Sequence, residues 1–235
     1  MAPSRRTISL LGILVTASAC APDAVDTEGR DIGSLYNTFT VIAAVIFVIT
    51  AGLIAWSIIR YRARPEDDEL PAQWHKNVPL EIVWFAIPQI IVVVLFVLSV
   101  QTLDRVDEPE SGPAVTVEVE GFQWGWRFTY DDPDVVVVGN STDPPEIVLP
   151  VGEQVTFNLI SDDVVHSFWV PRFLMKRDVI PGRINRFHVT IEEEGTYNGE
   201  CAEFCGLLHA NMDFRIQAVS ADDFDNWLED QSGNL

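Results

Sequence analysis

A chain of 235 residues that is 48% hydrophobic yet carries a net charge of −20 does not read as one soluble domain, in which apolar and charged residues would be mixed along the sequence. No charged residue occurs in 32–59 or 82–103, whereas from Asp104 onward 26 Asp and Glu face 8 Lys and Arg. The pattern implies a membrane anchor carrying an acidic outer domain, and no nucleic-acid partner is expected of so acidic a surface.

The first expected element is a secretory signal over 1–20. Arg5 and Arg6 precede a short apolar run at 8–15, and small residues follow up to Cys20. That run is too short to cross a bilayer. Ala17-Ser18-Ala19-Cys20 resembles a bacterial lipoprotein cleavage box, with Ala17 where a larger aliphatic is usual. Cleavage near this point and a lipid on Cys20 are expected; a plain signal peptide with an incidental cysteine is the other reading.

A transmembrane hairpin is expected over 32–103, with helices at about 35–60 and 80–103, each long enough for the roughly 20 residues of one crossing. The connection between them carries Arg60, Arg62, Arg64 and Lys76, so it is read as cytoplasmic, with both mature termini outside. Trp56, Tyr61, Trp74 and Trp84 suit the membrane interface. Glu81, at the inner end of the second helix, either faces interfacial water or has a function.

Past Asp104 the pattern changes to alternation. Val115, Val117 and Val119 alternate with Thr116, Glu118 and Glu120, the period of a half-buried strand. Further strands are expected at 123–130, 135–138, 146–149, 154–160, 167–170, 183–191, 196–198 and 213–219. Pro and Gly turns punctuate them, so the outer domain, 104–235, reads as a sandwich or barrel. Ser220, with Asp223 three residues on, predicts a capped final helix burying Phe224, Trp227 and Leu228.

The chemistry concentrates in Cys201-x3-Cys205-x3-His209-x2-Met212, with His166 upstream. Singly, each has a plain explanation: a disulfide, a surface histidine, a packing methionine. Together they form a soft-ligand inventory. Two Cys and two His satisfy tetrahedral zinc. Copper also accepts a thioether, and two thiolates four residues apart can bridge two copper ions with one imidazole on each. Zinc and a disulfide remain the rivals.

The chain resembles subunit II of the haem-copper oxidases over nearly its whole length. The matching residues are the two-helix hairpin, Gly121-Phe122-Gln123-Trp124-Gly125-Trp126, Val165-His166-Ser167-Phe168-Trp169-Val170-Pro171, Asp178-Val179-Ile180-Pro181-Gly182-Arg183, and Cys201-Ala202-Glu203-Phe204-Cys205 with Gly206-Leu207-Leu208-His209-Ala210-Asn211-Met212. The resemblance implies an all-β, cupredoxin-like Greek-key sandwich beside the hairpin, and a binuclear copper centre, CuA. It implies His166, Cys201, Cys205, His209 and Met212 as copper ligands, with the backbone carbonyl of Glu203. The Glu203 side chain would bind magnesium at the subunit I interface, with Asp178 close by; in nitrous oxide reductases, which share the copper loop, an acid is not usual there.

The same resemblance makes Glu81 the mouth of a proton-uptake channel and Trp124 the point where cytochrome c delivers electrons. Trp126 is read chiefly as core. The implied partners are subunit I with its haem, subunit III, and a soluble or tethered cytochrome c, which must be separate because no Cys-x-x-Cys-His occurs here. Asp131, Asp132, Asp163 and Glu203 are candidate docking acids for a basic donor. The place implied is a bacterial cell membrane. The rivals are a quinol oxidase subunit, which would lack the copper ligands, another reductase with the same copper centre, and a membrane-tethered copper or zinc carrier.

Overall fold

The structure, a computed structural model, describes residues 23–62, 73, 75–107, 115–131 and 135–232. The expected signal over 1–20 with Cys20, together with Arg64, Trp74 and Asp132, lies outside the described residues. The chain divides into two compact units: Ser34–Leu103 forms one, and the residues up to Gly33 join those from Asp104 onward in the other.

The first unit is built on two long helices, α1 (Thr27–Arg60) and α2 (Val78–Asp107). Their apolar side chains are exposed, Phe47 by 70% and Ile59 by 80%, which is tolerable only in a hydrocarbon environment. Hydroxyls inside them bond their own helix: Thr38 to Ser34 O (3.0 Å), Thr40 to Tyr36 O (2.9 Å), Thr50 to Ile46 O and Ser99 to Leu95 O (both 2.8 Å). These four hydroxyls need no water. At the start of α2, Asn77 Oδ1 accepts from Leu80 N–H (3.3 Å) while Glu81 Oε1 accepts from Asn77 N–H (3.2 Å), a reciprocal cap.

The second unit is a sandwich of two five-stranded sheets, with strand orders β3-β2-β1-β5-β8 and β4-β10-β9-β6-β7. The strands are β1 (Val115–Phe122), β2 (Gly125–Tyr130), β3 (Val135–Asn140), β4 (Glu146–Pro150), β5 (Gln154–Ser161), β6 (His166–Val170), β7 (Met175–Val179), β8 (Asn185–Thr190), β9 (Gly195–Cys201) and β10 (Asp213–Val219). Pairs β1–β5 and β4–β10 are parallel; the other pairs within the sheets are antiparallel. The expected pairing of two apolar helices with an all-β sandwich is therefore what the chain adopts.

Two strand expectations need correction. The run 123–130 is not one strand: β1 ends at Phe122, Gln123 and Trp124 turn, and β2 starts at Gly125. Strand β7 was not expected, because Met175-Lys176-Arg177-Asp178 shows no alternation; it forms by pairing along β6. The core between the sheets is aromatic. Phe168 stacks on Phe214 (4.6 Å between centroids), Phe157 on Phe187 (5.0 Å), and Trp126 meets Phe214 edge-on (5.4 Å). Buried Tyr130 donates to Val148 O (2.7 Å) and accepts from Val148 N–H (3.2 Å), tying β2 to β4. The final helix α3 (Ala221–Ser232) is capped by Ser220, which accepts from Asp223 N–H (3.2 Å), and places Trp227 5.3 Å from Tyr130.

Residues 23–31, which precede the expected hairpin, strap onto the sandwich. Val25 is buried; it donates to Arg172 O (3.3 Å) and accepts from Glu192 N–H (2.8 Å). Asp26 bridges to Ile191, and its Oδ2 accepts from Gly29 N–H (2.7 Å), which caps α1. Glu28 accepts from Thr190 N–H (2.9 Å), and Asp31 pairs with Arg105 (2.8 Å). Burial pushes the Asp26 carboxyl up to about 7, against the opposing pull of the Gly29 N–H.

Candidate metal centre

One end of the sandwich gathers the soft side chains. His166 opens β6 and is fully buried, in room left by Gly121, where a Cβ would stand 3.2 Å from the imidazole. Cys201 closes β9, held by its N–H to Met212 O (3.1 Å), while Ala202 N–H donates to Ser167 O (2.9 Å). The loop after it folds back through His209 N–H to Gly206 O (3.3 Å), Asn211 N–H to Leu208 O (3.0 Å) and Met212 N–H to His209 O (3.3 Å). Those bonds return Cys205, His209 and buried Met212 to the place where Cys201 ends its strand.

The donor atoms converge as two linked sets. Cys201 Sγ lies 3.9 Å from His166 Nδ1 and 3.2 Å from Glu203 O. Cys205 Sγ lies 3.7 Å from His209 Nδ1 and 3.8 Å from Met212 Sδ. The two sulfurs stand 3.9 Å apart, both buried and both free thiols. The disulfide alternative therefore has no support in this geometry. Burial raises the Cys201 thiol, but His166 and the backbone of Glu203 and Ser167 outweigh it and bring it down to about 7. Burial and then the Cys201 charge push Cys205 up to about 12. Two thiolates this close need positive charge between them.

Asp163 has a larger part here than its sequence position suggested. Its Oδ1 is 2.9 Å from His166 Nε2, and its Oδ2 accepts from Gln123 N–H (2.7 Å). Burial favours its neutral form, yet the bonds from His166, Val164 and Gln123 prevail and hold its pKa below the ordinary value. His166 responds in kind: burial opposes its protonation, while Cys201 and Asp163 raise its pKa overall. Fixing the ring through Nε2 turns Nδ1 toward the sulfurs. The signal was present in the sequence, an acid three residues before a histidine, but it was read only as a docking charge.

The other expected site residues scatter. Trp124 is half-buried, and its indole packs on Gly206, where a Cβ would stand 3.0 Å from Cζ2 and 3.3 Å from Nε1. Trp126 is core: fully buried, donating Nε1–H to Met212 O (3.2 Å), with its ring 6.2 Å from His166. Glu203 is exposed on the loop, and Asp178 lies half-buried on β7 opposite Ser167. No hydrogen bond or ion pair joins these two acids among the described residues. Glu81 lies in the helical unit. Asp131 follows β2 at the end away from Trp126, roughly 17 Å along the strand at about 3.3 Å per residue, so it does not flank the metal loop.

Comparison with known proteins fits this arrangement. Residues 15–102 match the family described as Cytochrome C oxidase subunit II, transmembrane domain, and 137–219 match Cytochrome C oxidase subunit II, periplasmic domain. The chain is 35% identical to a probable cytochrome c oxidase subunit 2 of Streptomyces avermitilis, covering 93% of this chain and 83% of that protein. A probable cytochrome c oxidase subunit 2 of Nocardia farcinica is 32% identical, over 89% of this chain and 73% of its own length. The crystal structure of the periplasmic domain of subunit II of cytochrome oxidase of Bradyrhizobium japonicum shares 29% identity, with a TM-score of 0.48, covering 53% of this chain and 97% of that one.

Proposed function

The chain belongs to the cytochrome c oxidase subunit II family, and from that premise we propose that it is the copper-bearing, electron-accepting subunit of a bacterial haem-copper oxidase. The observation that carries this reading is the convergence of two free thiols, two imidazoles, a buried thioether and a backbone carbonyl at one end of the sandwich. The donor set fits a copper pair. Zinc would be satisfied by the thiolates and imidazoles alone; Met212, fully buried against Cys205, adds the thioether that copper accepts and zinc has little use for.

His166, Cys201, Cys205, His209, Met212 and the carbonyl of Glu203 would hold the two ions. A copper pair held there would supply one-electron relay, between cytochrome c outside and the haem of subunit I, where oxygen would be reduced to water. The protein's own contribution is rigidity and dryness. Strand β9 fixes Cys201, Asp163 fixes His166, and Trp126 seals the floor by bonding Met212 O. Little then has to move when charge changes, which keeps the reorganisation energy small.

Trp124, lying against the cysteine loop, is the surface group best placed to face the donor. The acidic surplus of the outer domain would draw a basic cytochrome, so that association slows as salt rises. Exposed Glu203 would offer its carboxylate to magnesium at the subunit I interface, with Asp178 as the further acid the family resemblance suggests; one or two carboxylates plus water suit that ion. The outer placement of this domain follows from the basic connection between the helices. Subunits I and III are the expected neighbours in the membrane.

Glu81 would hold the proton at the mouth of an uptake channel. The cap it makes with Asn77 gives the test its form: Glu81→Gln keeps an oxygen for the Asn77 N–H and removes only the titration. Slower proton uptake in that variant supports the channel role, and unchanged uptake removes it. For the copper role the decisive variant is Cys201→Ser in the assembled oxidase. Oxidation of reduced cytochrome c should fall to near background, and retention of wild-type turnover would refute the assignment.

A further inference from the structure

The donor set comes from two stretches of chain, and they are not held equally. His166 and Cys201 sit on paired strands, β6 and β9, where Phe168 faces Cys201 and Ala202 N–H reaches Ser167 O (2.9 Å). Cys205 lies four residues beyond the end of that ladder, on the loop. Its carbonyl accepts from the side-chain amide of Gln123, Nε2 to O, at 2.7 Å. The backbone N–H of the same residue donates to Asp163 Oδ2 (2.7 Å), and the other oxygen of that carboxylate meets His166 Nε2 (2.9 Å). The contacts close a ring: His166, Asp163, Gln123, Cys205, Cys201 and back to His166.

Space around the turn is equally close. Gly206 has φ +126°, and a Cβ there would stand 3.2 Å from Gln123 Nε2 as well as against the Trp124 indole. The turn between β1 and β2 therefore presses directly on the peptide that follows Cys205.

Resting on the copper-pair reading above, we propose that Gln123 is a positioning residue: a strut that sets the distance of the Cys205 half of the site from the His166 half. A neutral amide suits the place. It donates to a carbonyl beside two thiols without the charge that Lys would bring to Asp163, or the repulsion that Glu would bring to the Cys205 carbonyl. With the strut removed, the Cys205–Gly206 peptide is released while Cys201 stays on its ladder. The effect should therefore be selective between two cysteines that share one site.

The test uses the full-length chain in detergent, with Gln123→Met, which keeps the length and loses the donor, and Gln123→Glu, which keeps length and polarity. Each copper-free, reduced protein is exposed to a maleimide, and labelling at Cys201 and Cys205 is resolved by mass spectrometry. Cys205 should label about fivefold faster in both variants, with Cys201 changed by less than about twofold, as one lost hydrogen bond allows. In the copper-loaded variants, the electron paramagnetic resonance hyperfine splitting should become unequal between the two nuclei. Wild-type labelling rates in both variants would overturn the strut. Equal acceleration at both cysteines would overturn it too, because that is general loosening of the loop. If the wild-type chain itself failed to take up two coppers, the copper reading would fall, while the labelling ratio would still decide the part played by Gln123.

Discussion

Strand β6 runs from His166, buried against sulfur, to Val170, beyond which Arg172 meets the strap of residues 23–31. Both ends of the sandwich thus bury groups that water would otherwise solvate, and they do it differently. At the metal end, each soft donor atom stands within 4 Å of a neighbouring one and both thiols are free. At the strap end, the Asp26 carboxyl is fully buried, one oxygen capping α1 and the other without a partner. The first arrangement is completed by a metal ion, the second by a proton. The difference shows why burial alone does not mark a functional site: what matters is which species would satisfy the buried atoms.

The sharpest way to break the comparison is Cys205→Ser. Bound copper should drop from two per chain to one or fewer by elemental analysis, while the strap end is untouched and the unfolding temperature of the copper-free chain moves little. A large loss of stability without copper would mean that Cys205 is core rather than ligand.

Next in size is Phe168→Ala, in the middle of the strand that joins the two ends. Emptying a site stacked on Phe214 and tilted against Phe157 should cost about 3–5 kcal/mol, read as a lower thermal midpoint, with weaker copper retention as a consequence. Destabilisation below about 1 kcal/mol would mean that the aromatic core does not link the ends.

The strap end should make stability depend on pH. Asp26 is raised in the folded chain from the ordinary 3.8 to about 7, by burial first, with Glu28 adding to it and Gly29 N–H and Arg30 opposing. The folded state therefore holds this proton more tightly than the unfolded one. That stabilisation is complete below about 4 and is lost progressively as pH rises to about 7, on the order of a few kcal/mol. Asp26→Asn keeps an oxygen for Gly29 N–H and should flatten the pH dependence of unfolding in this window, leaving the variant more stable than the parent at pH 8. The same slope in both proteins would remove Asp26 as its source.

The smallest effect expected is that of Tyr130→Phe. Losing the hydroxyl that serves Val148 should cost about 1–2 kcal/mol in chemical denaturation and leave both ends in place.

Much of this was legible in the sequence. The two uncharged stretches gave the helices, because only a membrane explains such length without charge. Alternation gave β1, since it buries one face against the other sheet. Val117 and Val119, both fully buried, are where that pattern predicts. The ligand spacing at Cys201, Cys205, His209 and Met212 was readable because it is local.

What could not be read was the non-local part. Met175 to Val179 becomes a strand only because β6 lies beside it. Asp26 is paired with Ile191, and nothing near Asp26 announces a partner 165 residues away. The Gln123 turn was lost inside an apparent strand, because Phe122, Trp124, Trp126 and Phe128 continue the alternation through it.

The most direct measurement is copper stoichiometry with electron paramagnetic resonance on the full-length wild-type chain, reconstituted in detergent. Two coppers per chain, with hyperfine structure from one electron shared over both nuclei, is the expected result. A single localised copper, or preferential uptake of zinc, would contradict the paired centre and leave a membrane-tethered metal carrier as the better reading of this fold.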